Sequence, residues 1–137
     1  MIHNPVYRGT VYPWHCDHVG HMNVMHYVGK FDEATWNLFT DLGLSAAYLR
    51  GANRGMAAVE QQLTYSAELH AGDVVMVNGR LLEARAKSIR FALEMFDAAT
   101  GKPSATCQIT ALHIDSKARK AVCFEDEIMQ RLRAAIV

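Results

Sequence analysis

The 137-residue chain is half hydrophobic, and its 14 Lys and Arg balance 14 Asp and Glu to a formal net charge of zero. That balance argues against general nucleic-acid or anionic-membrane binding, which needs a basic excess, so a phosphate-bearing ligand must meet a local cluster. The length predicts a single domain over residues 1–137 with enough apolar residues for a real core. Cys16, Cys107 and Cys123 are odd in number and widely spaced, which predicts no disulfide scaffold and a reducing, cytoplasmic setting. Residues 1–5 lack a basic region followed by an apolar run, and no segment reads as a membrane span.

Tyr7 to Pro13 reads as a first short strand, with Val11 and Tyr12 carrying β preference and Pro13 ending it. A polar stretch follows, Trp14-His15-Cys16-Asp17-His18-Val19-Gly20-His21-Met22. Asn23 then stands where a helix N-cap belongs. Behind it Val24, Tyr27, Val28, Phe31, Ala34, Thr35, Leu38, Phe39 and Leu42 recur at helical spacing up to the stop signal Gly43. This apolar stripe is broader than the roughly 100° of a surface helix, as a helix half-enclosed by a curved sheet requires. Lys30, Asp32, Glu33, Asn37 and Asp41 fill the remaining arc.

Ser45 to Arg54 reads as a short helical turn and a loop. From Gly55 the period changes to two: Val59, Gln61, Leu63 and Tyr65 alternate with Glu60, Gln62 and Thr64, predicting a half-buried strand. Val74–Leu82, the run around Ile89–Met95, and Ser104–Ile114 read as three more strands separated by short turns, hence antiparallel hairpins. A short run at Ala121-Val122 precedes a terminal helix, acidic at Glu125–Glu127 and basic at Arg131 and Arg133. A helix followed by an antiparallel sheet, without βαβ alternation, is α+β.

Several residues invite chemistry. Asp17 feeds a helix N-terminus, where backbone donors and the helix dipole suit an oxyanion; the alternative is an ordinary turn aspartate. His15, Cys16, His18, His21 and His26 crowd one stretch, but no second Cys or His pair follows at zinc-site spacing, so no metal is expected. His21 either touches substrate or braces the turn. Glu60 lies mid-strand, facing a cleft or paired on a solvated face. Arg85, Lys87, Ser88 and Arg90 cluster at one hairpin and suit the phosphates of a nucleotide.

The ordered set Asp17-x-x-Gly20-His21-Met22-Asn23, Tyr27, Phe31-Asp32-Glu33-Ala34, Tyr65, Gly72-Asp73, Ser88, Gly101 and Asp115 resembles the hotdog-fold acyl-CoA thioesterases. The likeness points to the branch that includes 4-hydroxybenzoyl-CoA thioesterase. It implies an antiparallel sheet wrapped around a long central helix, and hydrolysis of a thioester to a free acid and coenzyme A without a cofactor. It also implies a homodimer or homotetramer with sites between subunits. In that pattern Asp17 is nucleophile or general base and the Val24 backbone amide is the oxyanion donor. Read from their positions in this sequence, His21 contacts the thioester or braces the loop, and Asn23, Tyr27, Glu60, Tyr65 and the hairpin residues Arg85, Lys87, Ser88 and Arg90 are candidate substrate contacts. Two positions depart from the pattern: His15, where many relatives carry an acid, and Val24, where they carry a second Asn. Rival readings are a hotdog enoyl-CoA hydratase, whose proline-preceded histidine this stretch lacks, and a non-catalytic acyl-CoA or acyl-carrier binding module.

Overall fold

The computed structural model describes residues 1–136. Its elements are β1 (Tyr7–Thr10), a 3₁₀ turn (Pro13–His15), α1 (Val24–Asp41), α2 (Ala46–Gly51), β2 (Arg54–Tyr65), β3 (Val74–Ala84), β4 (Ser88–Asp97), β5 (Pro103–Asp115), β6 (Lys120–Ala121) and α3 (Asp126–Ala135). The strands form one antiparallel sheet in the order β1-β3-β4-β5-β2, with β6 pairing β5. The inner face carries the alternate residues Ile89, Phe91, Leu93 and Met95 of β4 and Ala105, Cys107, Ile109 and Ala111 of β5. These close on Phe31, Ala34, Leu38 and Phe39 of α1. Gly79 of β3 lets the helix sit close, since a Cβ there would come within 3.2 Å of the Leu38 side chain.

The helix and the four long strands stand where periodicity puts them, but four local expectations need correction. β1 ends at Thr10, and Pro13 opens the 3₁₀ turn instead of closing a strand; its fixed φ suits that first position. Val24 and Val28 belong to the periodic stripe yet are exposed, because the sheet covers only the other side of the first turn. Lys30, expected on the polar arc, is only 6% exposed. Its stem crosses the core edge and its ammonium donates to the Tyr7 hydroxyl and the Thr10 carbonyl. Burial lowers its pKa, against the opposing pull of Glu33.

The fourth correction concerns β2, which is not half-buried. A bulge between Ala58 and Glu60 breaks its alternation, and residues 58 to 62 are all exposed. β2 is an edge strand of twelve residues whose outer hydrogen-bonding edge has no neighbour among the described residues. At the far end of the sheet His113 is fully buried. Its ring nitrogens lie 3.1 Å from the Val122 carbonyl and 3.2 Å from the Tyr48 hydroxyl, which itself donates to Glu125, so α2, β5 and α3 are fastened together. The three cysteines are unpaired, and burial pushes the Cys107 thiol up to about 11.

Candidate active site

The loop before α1 is held by its own backbone. The Asp17 N–H donates to the His21 carbonyl, and the Gly20 N–H donates back to the Asp17 carbonyl. Gly20 has φ +96°, a conformation that a side chain would strain. The Met22 N–H reaches the Leu69 carbonyl, tying the loop to the segment after β2, and the Asn23 N–H reaches the His15 carbonyl.

This folding aims the Asp17 carboxylate. One oxygen accepts from the Val19 N–H at 2.9 Å and the other from the Asn23 Nδ2 at 2.8 Å. Those bonds, Asn23 first and Val19 second, hold the carboxyl below its usual range, so the group is anionic at neutral pH. A carboxylate has about four lone-pair sites, which leaves capacity for a substrate or a water. Asn23 serves two ends at once: its Oδ1 accepts from the Met25 N–H at 2.9 Å and caps α1. Among the described residues the next N–H, that of Val24, has no acceptor. It is one of the donors a helix start leaves open, at the positive end of the dipole.

Beside these groups a cleft of about 260 Å³ is lined by His21, Met22, Val24, Tyr27, Tyr65, Ser66, Ala67 and Glu68. The Tyr27 hydroxyl donates to the Ala67 carbonyl at 3.2 Å, and the Tyr27 and Tyr65 rings stand near-perpendicular with centroids 5.1 Å apart. His21 Nε2 lies 3.7 Å from the Glu68 carboxylate. The structure therefore gathers His21, Val24, Tyr27 and Tyr65 on one cleft wall, with Asp17 and Asn23 bonded to each other on the adjoining loop and not lining it.

It does not gather the rest. Glu60 pairs with Thr110, which pairs with Arg90, and all three share the outer face of the sheet, away from the helix and this cleft. Of the two alternatives for Glu60, a cleft or a solvated face, it takes the solvated face within one chain, because the bulge resets which side chains point inward. Arg85, Ser88 and Arg90 line a separate 180 Å³ groove with Glu83, whose carboxylate is 2.8 Å from Arg85 Nε and 3.6 Å from Arg90 Nε. Lys87 does not line that groove. Ser88 is opposite Leu112 and Tyr65 is opposite Ala105, so hairpin and cleft lie ~23 Å apart along β5 at about 3.3 Å per residue. Glu68, which lines the cleft, escaped the sequence reading. It sits in a short turn after β2, where an exposed acid carries no periodic signal.

Asn23→Ala tests the double role. The lost cap costs about 1 kcal/mol, which lowers the Tm by roughly 4 °C. The same change frees one oxygen of Asp17, so the acid limb of activity should move up toward the ordinary carboxylate range. A Tm shift without any movement of that limb would separate the cap from the carboxylate.

A family profile described as the thioesterase-like superfamily matches residues 11–132. The chain belongs to the thioesterase-like superfamily. Among relatives of this thioesterase-like chain is an L-carnitine dehydrogenase/betainyl-CoA thioesterase from Rhizobium meliloti (strain 1021), 31% identical over 117 residues. That match takes in 85% of this chain and 23% of the relative, so the chain spans about a quarter of that longer protein. A Staphylococcus aureus hypothetical protein solved in complex with CoA superposes with TM-score 0.88 at 21% identity, covering 94% of this chain and 81% of that one. A 1,4-dihydroxy-2-naphthoyl-CoA thioesterase from Synechocystis superposes with TM-score 0.81 at 20% identity, covering 93% of each chain. These likenesses establish the hotdog fold for this thioesterase-like domain. Its Asp17 loop and its helix start both fall inside the matched residues.

Proposed function

We propose that this chain is an acyl-CoA thioesterase that uses Asp17 and the N-terminus of α1. One observation carries the reading: Asn23 ties an ionised carboxylate, Asp17, to the start of α1, where the Val24 N–H has no acceptor among the described residues and Val24 lines the cleft. Asp17 either attacks the thioester carbon, giving an acyl–Asp17 anhydride that water then opens, or takes a proton from a water that attacks directly. In both routes the C–S bond breaks and the sulfur leaves as a thiolate that then gains a proton. The negative charge that develops on the carbonyl oxygen faces the Val24 N–H, a contact of a kind worth roughly 10²–10³ in rate. His21 positions the loop at the cleft wall. Water is the only co-substrate, and no cofactor or metal is used.

The curated relatives are named for betainyl-CoA, and an acyl group with a quaternary ammonium is the class proposed for this chain. Unpaired cysteines support a reducing compartment, hence the cytoplasm. Free thiol released from a panel of acyl-CoAs tests the reading; a chain that binds acyl-CoA but releases none would overturn it.

The proposal extends to a homodimer. Exposed Val59 and the long bare edge of β2 support it, since such edges invite pairing. The hairpin lies level with Ala57 of β2, while the cleft lies at Tyr65. Antiparallel pairing of two β2 strands about their middle would bring the second copy's hairpin to this chain's cleft. In that arrangement Arg85, Lys87, Ser88 and Arg90 serve the nucleotide of the neighbouring site, and Glu60 lies near the join. Glu83 competes there with a phosphate for both arginines. Glu83→Gln should therefore lower KM for acyl-CoA about threefold with kcat unchanged, and leave thioesters lacking the nucleotide unaffected. Equal effects on both substrates would make the hairpin structural.

A further inference from the structure

We infer that the cleft selects acyl groups carrying a cation next to the thioester, through the ring face of Tyr65 and the Glu68 carboxylate. The inference rests on the thioesterase reading and names the residues that would set its substrate. No Lys or Arg is among the residues lining the cleft. The buried cation of α1, Lys30, is turned to Tyr7 and Thr10 on β1. One carboxylate lines the cleft, Glu68; that of Asp17 lies on the adjoining loop, bonded to Asn23. The basic groups facing Glu68 are the imidazoles of His21 and His70, at 3.7 and 3.8 Å, which carry charge only when protonated. Of this chain's own lining, the formal charge is therefore that of Glu68, which opposes an anionic acyl group beside it.

The rings add a second, independent preference. Tyr27 is fixed by its hydroxyl bond to Ala67, and Tyr65, 46% exposed, meets it at 80°. Tyr27 is only 4% exposed, so it braces Tyr65, whose open ring face beside the Glu68 carboxylate suits a cation that cannot donate a hydrogen bond. A quaternary ammonium is such a cation: it is held by ring faces and net charge alone.

The test compares two acyl-CoAs of one shape on the intact protein: betainyl-CoA, and 3,3-dimethylbutanoyl-CoA, in which carbon replaces the charged nitrogen. The ammonium also activates its own carbonyl by induction, so the ratio of the two kcat/KM values is compared between wild type and variants, where that intrinsic factor cancels. Glu68→Gln should lower the ratio about tenfold and Tyr65→Leu about fivefold. Both side chains are well exposed, so the variants should fold. A fall of less than about threefold in Glu68→Gln overturns the inference. So does a wild-type enzyme that hydrolyses the neutral thioester and not the charged one, an outcome that leaves the thioesterase reading standing. Hydrolysis of neither also overturns the inference, and the acyl-CoA panel then decides whether the thioesterase reading stands.

Discussion

Asp17→Asn should lower kcat by roughly 10²–10⁴-fold, the range for losing a positioned carboxylate in proton transfer or attack. Binding of a non-hydrolysable acyl-CoA analogue should change little, because the cleft walls stay in place. The substitution is not electrostatically silent within the loop. Asp17 accepts at both oxygens, from the Val19 N–H and the Asn23 Nδ2. An amide at position 17 offers one oxygen and one NH₂, so one of those donors meets another donor. A modest fall in Tm should accompany the loss of activity, and the two must be measured apart. Activity measured well below the Tm decides the matter: near-wild-type turnover there would falsify the catalytic assignment.

The pH dependence has a definite sign. The folded pKa of Asp17 is depressed, chiefly by Asn23 and then by the Val19 N–H. Its contribution to stability is therefore present above the unfolded pKa and fades as pH falls through the folded one. Activity that needs the anion should likewise persist to below the ordinary carboxylate range. An acid limb near neutrality would point to a different group.

Phe91→Ala should be the most damaging change to stability, at about 3–5 kcal/mol. The ring is fully buried on β4 and packs edge-to-face on Phe39 of α1, with centroids 5.4 Å apart. It is a main contact between the sheet and the helix that carries the site. For a domain of this size the Tm should fall by roughly 10–20 °C. Below that lowered Tm the loop keeps its own backbone bonds, so kcat should fall far less than in Asp17→Asn. Thermal denaturation paired with low-temperature kinetics distinguishes the two variants; a Phe91→Ala protein of normal Tm would mean that the helix does not depend on this packing.

How much of this was legible beforehand follows from which forces are local. The cap at Asn23 and the stripe of Phe31, Ala34 and Leu38 could be read because capping and helical periodicity act within one segment. The alternation of Ile89, Phe91, Leu93 and Met95 was readable for the same reason. Asp17 stood out through its place before the helix, with family likeness supplying the proposed role. The bulge at Val59 was hidden, since a bulge is defined against a partner strand and shows no mark in its own residues. The burial of Lys30 depends on where β1 crosses α1, a long-range fact. So does the ~23 Å between the basic hairpin and the cleft, which only strand register reveals. Glu68 became visible only when the turn after β2 was laid against the Asp17 loop.

The two bonds made by the Asn23 amide narrow what chemistry can accept at that position. Asn, Asp, Ser and Thr all cap helices well in general. Here the side chain must accept from Met25 on one atom while donating to a carboxylate from another. Aspartate would face Asp17 with like charge, two anions competing for one loop. A serine or threonine has a single oxygen on a shorter arm, with one hydrogen to give. Glutamine carries both functions one methylene too far out. A position that looks permissive by helix rules alone therefore tolerates almost no exchange, and drift in this loop would have to change residues 17 and 23 together.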